Sequence, residues 1–326
     1  MTENISKAGS LRLAGLKLEV LTADELAEIH RATLKVMRET GLKITSTRAR
    51  EILQEAGAEV NDSSQIVKFP HYLVEDAIKA APEQILLAGR DPKNDLEVGG
   101  EKVYFTNFGS GINIVDPTSG ELRDTTKEDV AATARMVDGL SDIEVYSLAV
   151  TARDCPQDKV YLHATEAYLN NTTKHCHGFS GKNPEKCLDM GAAVVGGREE
   201  LRRRPIISAD VCPQSPLQIQ AEGAEVIMAC ARAGVPVTIL PAAMAGATSP
   251  ITLAGTLVGH NAEVLAGLTL AQQVERGAPV MYGSSTTIYD LKENVASVGS
   301  PELALFSAAL AKIAKYYKLP SYLAGG

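Results

Sequence analysis

The segment VPVTILPAAMAGATSPITLAGTLVGHNAEVLAGLTLAQQVERGAPVMYG (residues 235–283) indicates most clearly which fold the chain adopts. A short apolar run at 235–240 is followed by a long apolar stretch at 252–274 and by a second short run at 279–283. The short runs predict buried strands, and the long stretch predicts a helix that ends near Gly277. A strand, a helix and a strand in this order form one βα repeat of a parallel sheet.

The same alternation extends in both directions from this segment. From about Thr125 onward, helices alternate with six predicted strands, at residues 145–151, 174–179, 206–212, 235–240, 279–283 and 319–324. The strands show little polar alternation, which is typical of strands that are buried on both faces. Two folds have this pattern: an open doubly wound sheet and a (β/α)8 barrel.

No phosphate-binding loop supports the doubly wound alternative. Gly109 and Gly111 lack the third glycine of the dinucleotide-binding motif, and no glycine-rich turn precedes a GK[ST] sequence. We therefore predict an α/β fold of the (β/α)8 TIM-barrel type. Six strands are too few to close such a barrel, so the barrel is predicted to be incomplete at its carboxyl-terminal end.

The first part of the chain has a different pattern. Thr22 and Glu25 form a capping box that begins a helix, and Pro70 precedes another helix. Residues 103–106 and 112–115 predict a hairpin with its turn at 108–111. The predicted organisation is thus an amino-terminal α+β region at 1–124 and a partial barrel at 125–326.

The composition argues against several classes of function. A formal net charge of −8 disfavours binding to nucleic acid or to an anionic membrane surface. No signal peptide is evident, and the longest apolar stretch contains His260, Asn261 and Glu263, which predicts a buried helix rather than a membrane span. Five cysteines without a CxxC pair indicate reduced thiols, so we expect a cytoplasmic protein.

Candidate functional residues lie where the predicted strands end, because a barrel places its active residues there. His175 and His177 are two apart on one strand and so share a face, with Cys176 opposite. Such a pair is able to bind a metal ion, but no third ligand follows at a recognisable spacing. Polar lining or a hydrogen-bonded core position is therefore favoured, and no metal site is predicted.

Three further candidates occupy comparable positions. Glu222 lies in the first turn of a predicted helix, where it would be either a general acid or an acidic residue that complements the helix dipole. Tyr282 would either contact a cationic amine through its ring face or pack at the rim of the barrel. Ser284 ends the same strand. These residues by themselves predict a barrel enzyme without defining its chemistry.

Five long blocks of the sequence resemble one family, the trimethylamine methyltransferases and their pyrrolysine-free relatives. The blocks are YFTNFGSGINIVD (104–116), NNTTKHCHGFS (170–180), PAAMAGATSPITLAGTLVGHNAEVLAGLTLAQ (241–272), MYGSSTTIYDLK (281–292) and GSPELALFSAALAKIAKYYKLPSYLAGG (299–326). The resemblance extends from about Leu21 to the last residue. It implies a (β/α)8 barrel of greater length than this chain.

The resemblance also implies an activity. Pyrrolysine-containing members transfer a methyl group from trimethylamine to the cobalt of a corrinoid, in methanogenesis from trimethylamine. A separate cognate protein carries the corrinoid, so we expect this chain to bind no cofactor itself and to form a homo-oligomer. The amine adds to the ring imine of pyrrolysine, which requires a proton donor. Glu222 is the candidate donor, and Tyr282, His175, His177 and Ser284 are the candidates for contact with the substrate.

In the family a double glycine immediately precedes pyrrolysine. Gly325 and Gly326 match that pair, so we expect this chain to be a fragment that ends just before the catalytic residue and is inactive by itself. One alternative is a pyrrolysine-free relative that acts on a quaternary amine such as glycine betaine. Another is a truncated protein without catalytic activity.

Overall fold

The computed structural model of the protein describes residues 19–325. Its helices are α1 (Ala23–Glu39), α2 (Thr47–Glu55), α3 (His71–Ala80), α4 (Lys127–Asp138), α5 (Val160–Asn171), α6 (Pro184–Val195), α7 (Arg198–Arg203), α8 (Ala221–Ala233), α9 (Leu253–Val274) and α10 (Pro301–Tyr316). Its strands up to residue 211 are β1 (Leu42–Ile44), β2 (Glu59–Asn61), β3 (Ile66–Lys68), β4 (Ile85–Leu87), β5 (Leu96–Val98), β6 (Asn113–Val115), β7 (Leu122–Asp124), β8 (Val145–Ser147), β9 (His175–Phe179) and β10 (Ile207–Val211). The later strands are β11 (Gln218–Ile219), β12 (Val237–Ile239), β13 (Met244–Ala245), β14 (Val280–Ser284), β15 (Thr287–Asp290), β16 (Val295–Ala296) and β17 (Ser321–Leu323).

Local sequence determines where the main helices begin. The hydroxyl of Thr22 accepts a hydrogen bond from the Glu25 amide, and the Glu25 carboxylate accepts one in return, which completes the predicted capping box of α1. Thr126 caps α4 in the same way, and Thr252 caps α9. Helix α9 has apolar residues on all sides, and it is buried over most of its length as such a helix must be.

The described residues form two compact units. Unit one comprises residues 85–210 and 233–236, and unit two comprises 19–84, 211–232 and 237–325. Within residues 19–325, no helix combines the length and the apolar character that crossing a membrane requires. The predicted division of the chain at residue 125 stays a prediction.

Unit one is built around parallel strands in the order β8–β9–β10. Helix α5 connects the first two strands, and α6 and α7 connect β9 to β10, which is the predicted βα rhythm. Two antiparallel pairs, β4–β5 and β6–β7, precede this sheet. The carboxyl ends of the parallel strands lie at one edge, where β9 ends at Phe179 and β10 at Val211.

Unit two contains a second set of parallel strands in the order β12–β14–β17. Helix α9 connects the first two strands, and α10 precedes the third. Helices α1, α2 and α3 pack on α9. The short strand β11 pairs in parallel with β1, which belongs to a small mixed sheet with β2 and β3.

The predicted hairpin in the amino-terminal region is wrong in its pairing. Residues 113–115 pair with Leu122–Asp124 instead of with residues 103–106. The turn between them is held by Asp116, whose carboxylate accepts hydrogen bonds from the amides of Thr118 and Ser119. The α+β character predicted for this region is confirmed, since short antiparallel strands alternate there with helices.

Candidate functional site

His175 and His177 lie on one face of β9 and meet the same hydroxyl group, as the two-residue spacing predicts. The Ser208 hydroxyl lies 2.8 Å from His175 Nε2 and 2.9 Å from His177 Nδ1. All three side chains are buried, and Cys176 lies on the opposite face. A hydroxyl on β10 therefore connects the two histidines of β9.

The partners of His175 fix the direction of these hydrogen bonds. His175 Nδ1 lies 3.1 Å from the carbonyl oxygen of Ala88, which only accepts, so Nδ1 carries the proton. His175 Nε2 must then accept from the Ser208 hydroxyl, and Ser208 accepts from His177 Nδ1. Burial lowers the pKa of His175 to about 4 and that of His177 to about 3, so both rings are neutral at pH 7.

The histidines are not part of a metal-ligand cluster. Across residues 19–325, no group of three or more histidine, cysteine, aspartate or glutamate side chains is placed to hold a metal ion. The contact of His175 and His177 with the substrate stays a prediction.

Asp210 is a further polar residue on β10 and was not among the residues predicted from the sequence. The strand reads ISADV, so Asp210 is two residues after Ser208 and on the same face. Burial raises the pKa of its carboxyl group to about 6. The signal in the sequence was an acidic residue near the carboxyl end of an otherwise apolar strand.

Tyr282 points toward the helices of unit two. Its hydroxyl donates a hydrogen bond to Asn261 Oδ1 at 3.0 Å and lies 3.3 Å from His260 Nδ1. Its ring is fully buried and lies next to the ring of Tyr317. In the structure, Tyr282 packs in the core of unit two. Its predicted contact with the substrate stays a prediction.

The hydrogen bonds of Tyr282 continue to α1. Asn261 Nδ2 donates to the hydroxyls of Tyr317 at 2.8 Å and Thr33 at 3.0 Å. Tyr317 in turn lies 3.0 Å from His30 Nδ1. Buried polar groups that are all satisfied in this way give the packing of α1, α9, α10 and β14 a unique arrangement.

Ser284 uses its polar groups in the turn that follows β14. Its hydroxyl accepts a hydrogen bond from the Thr286 amide at 3.0 Å, and its carbonyl accepts one from the Ala324 amide at 3.0 Å. Gly325 is exposed and follows at once, whereas Gly326 lies outside the described residues. The structure thus brings Ser284 close to Gly325 in unit two, and the role of both stays a prediction.

Glu222 and Glu263 lie in different surroundings, although both belong to unit two. Glu222 is exposed in the first turn of α8, and its role as proton donor stays a prediction. Glu263 is 1% exposed in α9, and its carboxylate accepts hydrogen bonds from the Ser215 hydroxyl and the Leu217 amide, both at 2.8 Å. Burial raises the pKa of Glu263 to about 7. This carboxyl group anchors the loop between β10 and α8.

Comparison with known proteins identifies close relatives of the chain. The family profile described as trimethylamine methyltransferase (MTTB) matches residues 4–326. Trimethylamine methyltransferase MttB of Desulfitobacterium hafniense is 49% identical over 98% of this chain and 65% of the relative. MttB of Methanosarcina barkeri is 45% identical over 100% of this chain and 67% of the relative. A glycine betaine methyltransferase of Desulfitobacterium hafniense is 32% identical over 95% of this chain and 65% of its own.

Two solved structures of MtmB have a fold similar to that of this chain. The hydroxylamine complex of MtmB superposes with a TM-score of 0.58 at 13% identity, over 95% of this chain and 63% of that one. The monomethylamine methyltransferase (MtmB) of Methanosarcina barkeri gives a TM-score of 0.57 over 94% and 62%. This likeness confirms the predicted TIM-barrel class. The chain spans about two thirds of the length of the curated relatives it matches.

Proposed function

Since this chain belongs to the trimethylamine methyltransferase family, we propose that its protein moves a methyl group from trimethylamine to the cobalt of a corrinoid. The observation that carries the proposal is the 49% identity to a trimethylamine methyltransferase over 98% of the chain. Glycine betaine is the second candidate for the methyl donor, and the lower identity of 32% to a glycine betaine methyltransferase makes it less favoured.

The proposed reaction makes clear demands on the protein. Cobalt(I) supplies the electron pair for the new Co–CH3 bond, and the pair of the broken C–N bond stays with nitrogen. Neutral trimethylamine is a poor methyl donor, because dimethylamide would have to leave, so its nitrogen must become quaternary by adding to the pyrrolysine imine that the family resemblance implies. Trimethylammonium therefore has to lose its proton before that addition, and dimethylamine has to regain one when it leaves. The protein has to orient the amine and to manage that proton.

We propose that the corrinoid is carried by a separate protein, so that this chain provides the amine site and a docking surface. All five cysteines are free thiols, which supports a reducing compartment such as the cytoplasm. A homo-oligomeric assembly is part of the same proposal.

For the proton, the sequence points to Glu222 at the start of α8. Glu222 is exposed in the first turn of α8, so its carboxyl group is able to exchange a proton with solvent. Glu222→Gln should lower turnover strongly if Glu222 is the proton donor. Unchanged turnover would exclude Glu222 from that role.

The choice of methyl donor tests the proposed function. The complete protein encoded at this locus is mixed with its cognate corrinoid protein in the cobalt(I) state, and methyl-cobalt formation is followed by absorbance. We expect methylation with trimethylamine and none with dimethylamine or glycine betaine. Methylation with glycine betaine alone would support the second candidate, and no reaction with any methylated amine would contradict both.

A further inference from the structure

The two faces of β10 differ in what they contact. A Cβ atom placed on Gly191 of α6 would lie 2.8 Å from Ile207 Cδ1, so Ile207 faces that helix. A Cβ atom on Gly223 of α8 would likewise lie 2.8 Å from Val211 Cγ1. Ile207 and Val211 therefore belong to the helix-facing side of the strand, and the residues between them alternate.

The other face of β10 carries the polar side chains. Ser208 points away from the helices and bonds to His175 and His177, and strand alternation puts Asp210 on the same face. Register pairs Ser208 with His177, so Asp210 lies beyond the histidines, toward the carboxyl end of the strands. That end is where TIM-type barrels carry their reactive groups.

The surroundings of Asp210 differ from those of a structural aspartate. Asp129 shows the contrast, because Arg123 binds both of its oxygens and lowers the pKa of its carboxyl group. Asp210 is only partly exposed, yet among residues 19–325 no cation influences its pKa, and its own amide is the hydrogen-bond donor that lowers it. A carboxyl group without a cationic partner gains little for the fold from being ionised.

Its titration suits proton exchange near neutral pH. The carboxyl pKa of about 6 leaves roughly one tenth of the groups protonated at pH 7, so both forms are available. His175 and His177 share this face and stay neutral there, because burial lowers the pKa of both rings to about 4 or below. Of these three residues, Asp210 is the one that changes charge between pH 5 and 7.

We propose that Asp210 is a catalytic acid–base residue that takes the proton from bound trimethylammonium and returns it to dimethylamine. The inference rests on the proposed function and assigns the proton to a residue other than Glu222. The N–H bond of the substrate breaks as an O–H bond forms on the carboxylate. The freed lone pair of nitrogen forms a bond to the imine carbon, so the methyl group moves to cobalt from a quaternary nitrogen. The bond between nitrogen and the imine carbon then breaks as the imine forms again, the O–H bond breaks and the N–H bond of dimethylamine forms, so no proton is gained or lost.

Calorimetry tests the assignment directly. Trimethylammonium chloride is titrated into the complete protein at pH 6 in two buffers of different ionisation enthalpy. About half a proton should be released per amine bound, because a cation beside Asp210 favours its ionised form. Asp210→Asn should abolish that release and lower kcat about 100-fold. Asp142→Asn, at an exposed position on the same unit, is the matched control and should behave as wild type.

Two additional variants separate the possible outcomes. Asp210→Glu keeps a carboxyl group and should restore the proton release with reduced kcat, which distinguishes acid–base chemistry from a damaged fold. If Asp210→Asn retains both proton release and kcat while Glu222→Gln loses them, the assignment to Asp210 is refuted and the methyl-transfer function stands. If the wild-type protein binds glycine betaine and not trimethylammonium, the proposed function fails, and with it the role of Asp210.

Discussion

Replacing Glu263 by glutamine should remove a loss of stability that the wild-type protein undergoes as the pH rises from 5 to 8. Glu263 is 1% exposed and accepts hydrogen bonds from the Ser215 hydroxyl and the Leu217 amide. A glutamine has the same shape, and its amide resembles the neutral acid. Its Oε1 is able to accept from Leu217 while its Nε2 donates to the Ser215 hydroxyl.

The expected magnitude follows from the pKa of Glu263. Burial raises this pKa from 4.5 to about 7, so the folded protein retains a proton that the unfolded chain has lost. The free energy of unfolding therefore falls as the pH rises from about 4.5 to about 7 and is constant above that. A difference of 2.5 pKa units corresponds to about 3 kcal/mol lost across this interval.

Urea denaturation at pH 5 and pH 8 measures the effect. The difference in stability between Glu263→Gln and wild type should shift by about 2.5 kcal/mol in favour of the variant at pH 8, because part of the loss has already occurred at pH 5. Glu51→Gln, at an exposed position on α2, should show the same pH dependence as wild type. An equal pH dependence for Glu263→Gln and wild type would refute the reasoning, since another group would then control the titration.

Three further substitutions each test a contact that lies within one of the two units. Ser208→Ala removes the hydroxyl that binds His175 and His177 and should lower the free energy of unfolding by about 2 kcal/mol in urea denaturation. Gly283→Ala puts a methyl group 2.8 Å from a carbonyl oxygen of the neighbouring strand and should cost about 1–3 kcal/mol, measured as a lower Tm. Lys174→Met leaves three backbone carbonyls without their ammonium donor and should cost about 3 kcal/mol, again by urea denaturation. An unchanged Tm or urea midpoint for one of these variants would contradict the claim that the contact it alters stabilises the fold.

The βα repeat was predictable from the sequence because the helix caps and the apolar runs that indicate it are local features. Helices α9 and α10 are capped by Thr252 and Ser300, and the apolar runs between the helices became the strands β8, β9, β10, β12, β14 and β17. The choice of a barrel over a doubly wound sheet rested on a missing phosphate loop, and the likeness to MtmB confirms it.

The pairing of strands was harder to predict from the sequence, because it depends on residues that are distant in the chain. Residues 113–115 and 103–106 both fit a strand pattern, yet Asp116 stabilises a turn that brings the former to β7. Strand β11 was missed because its two residues pair with β1, which is far away in the chain. A two-residue strand has no periodicity of its own.

The sequence indicated some site residues and not others. Spacing placed His175 and His177 on one face, whereas their shared partner Ser208 could not be seen without the register of β9 and β10. Asp210 was overlooked because a single acidic residue in a strand looks the same whether an arginine binds it or not. Its burial is a property of the fold; that burial raises its pKa, and no neighbouring cation in the described part of the chain lowers it again.

Labelled substrate gives the most direct test of the proposed methyl transfer. Trimethylamine carrying 13C in its methyl groups is incubated in a single turnover with the complete protein and the cobalt(I) form of its corrinoid protein, and the products are read by NMR. We predict one labelled methyl-cobalt and one dimethylamine per trimethylamine consumed. A labelled methyl group on any other acceptor, or label that stays in trimethylamine while glycine betaine is demethylated, would contradict the account.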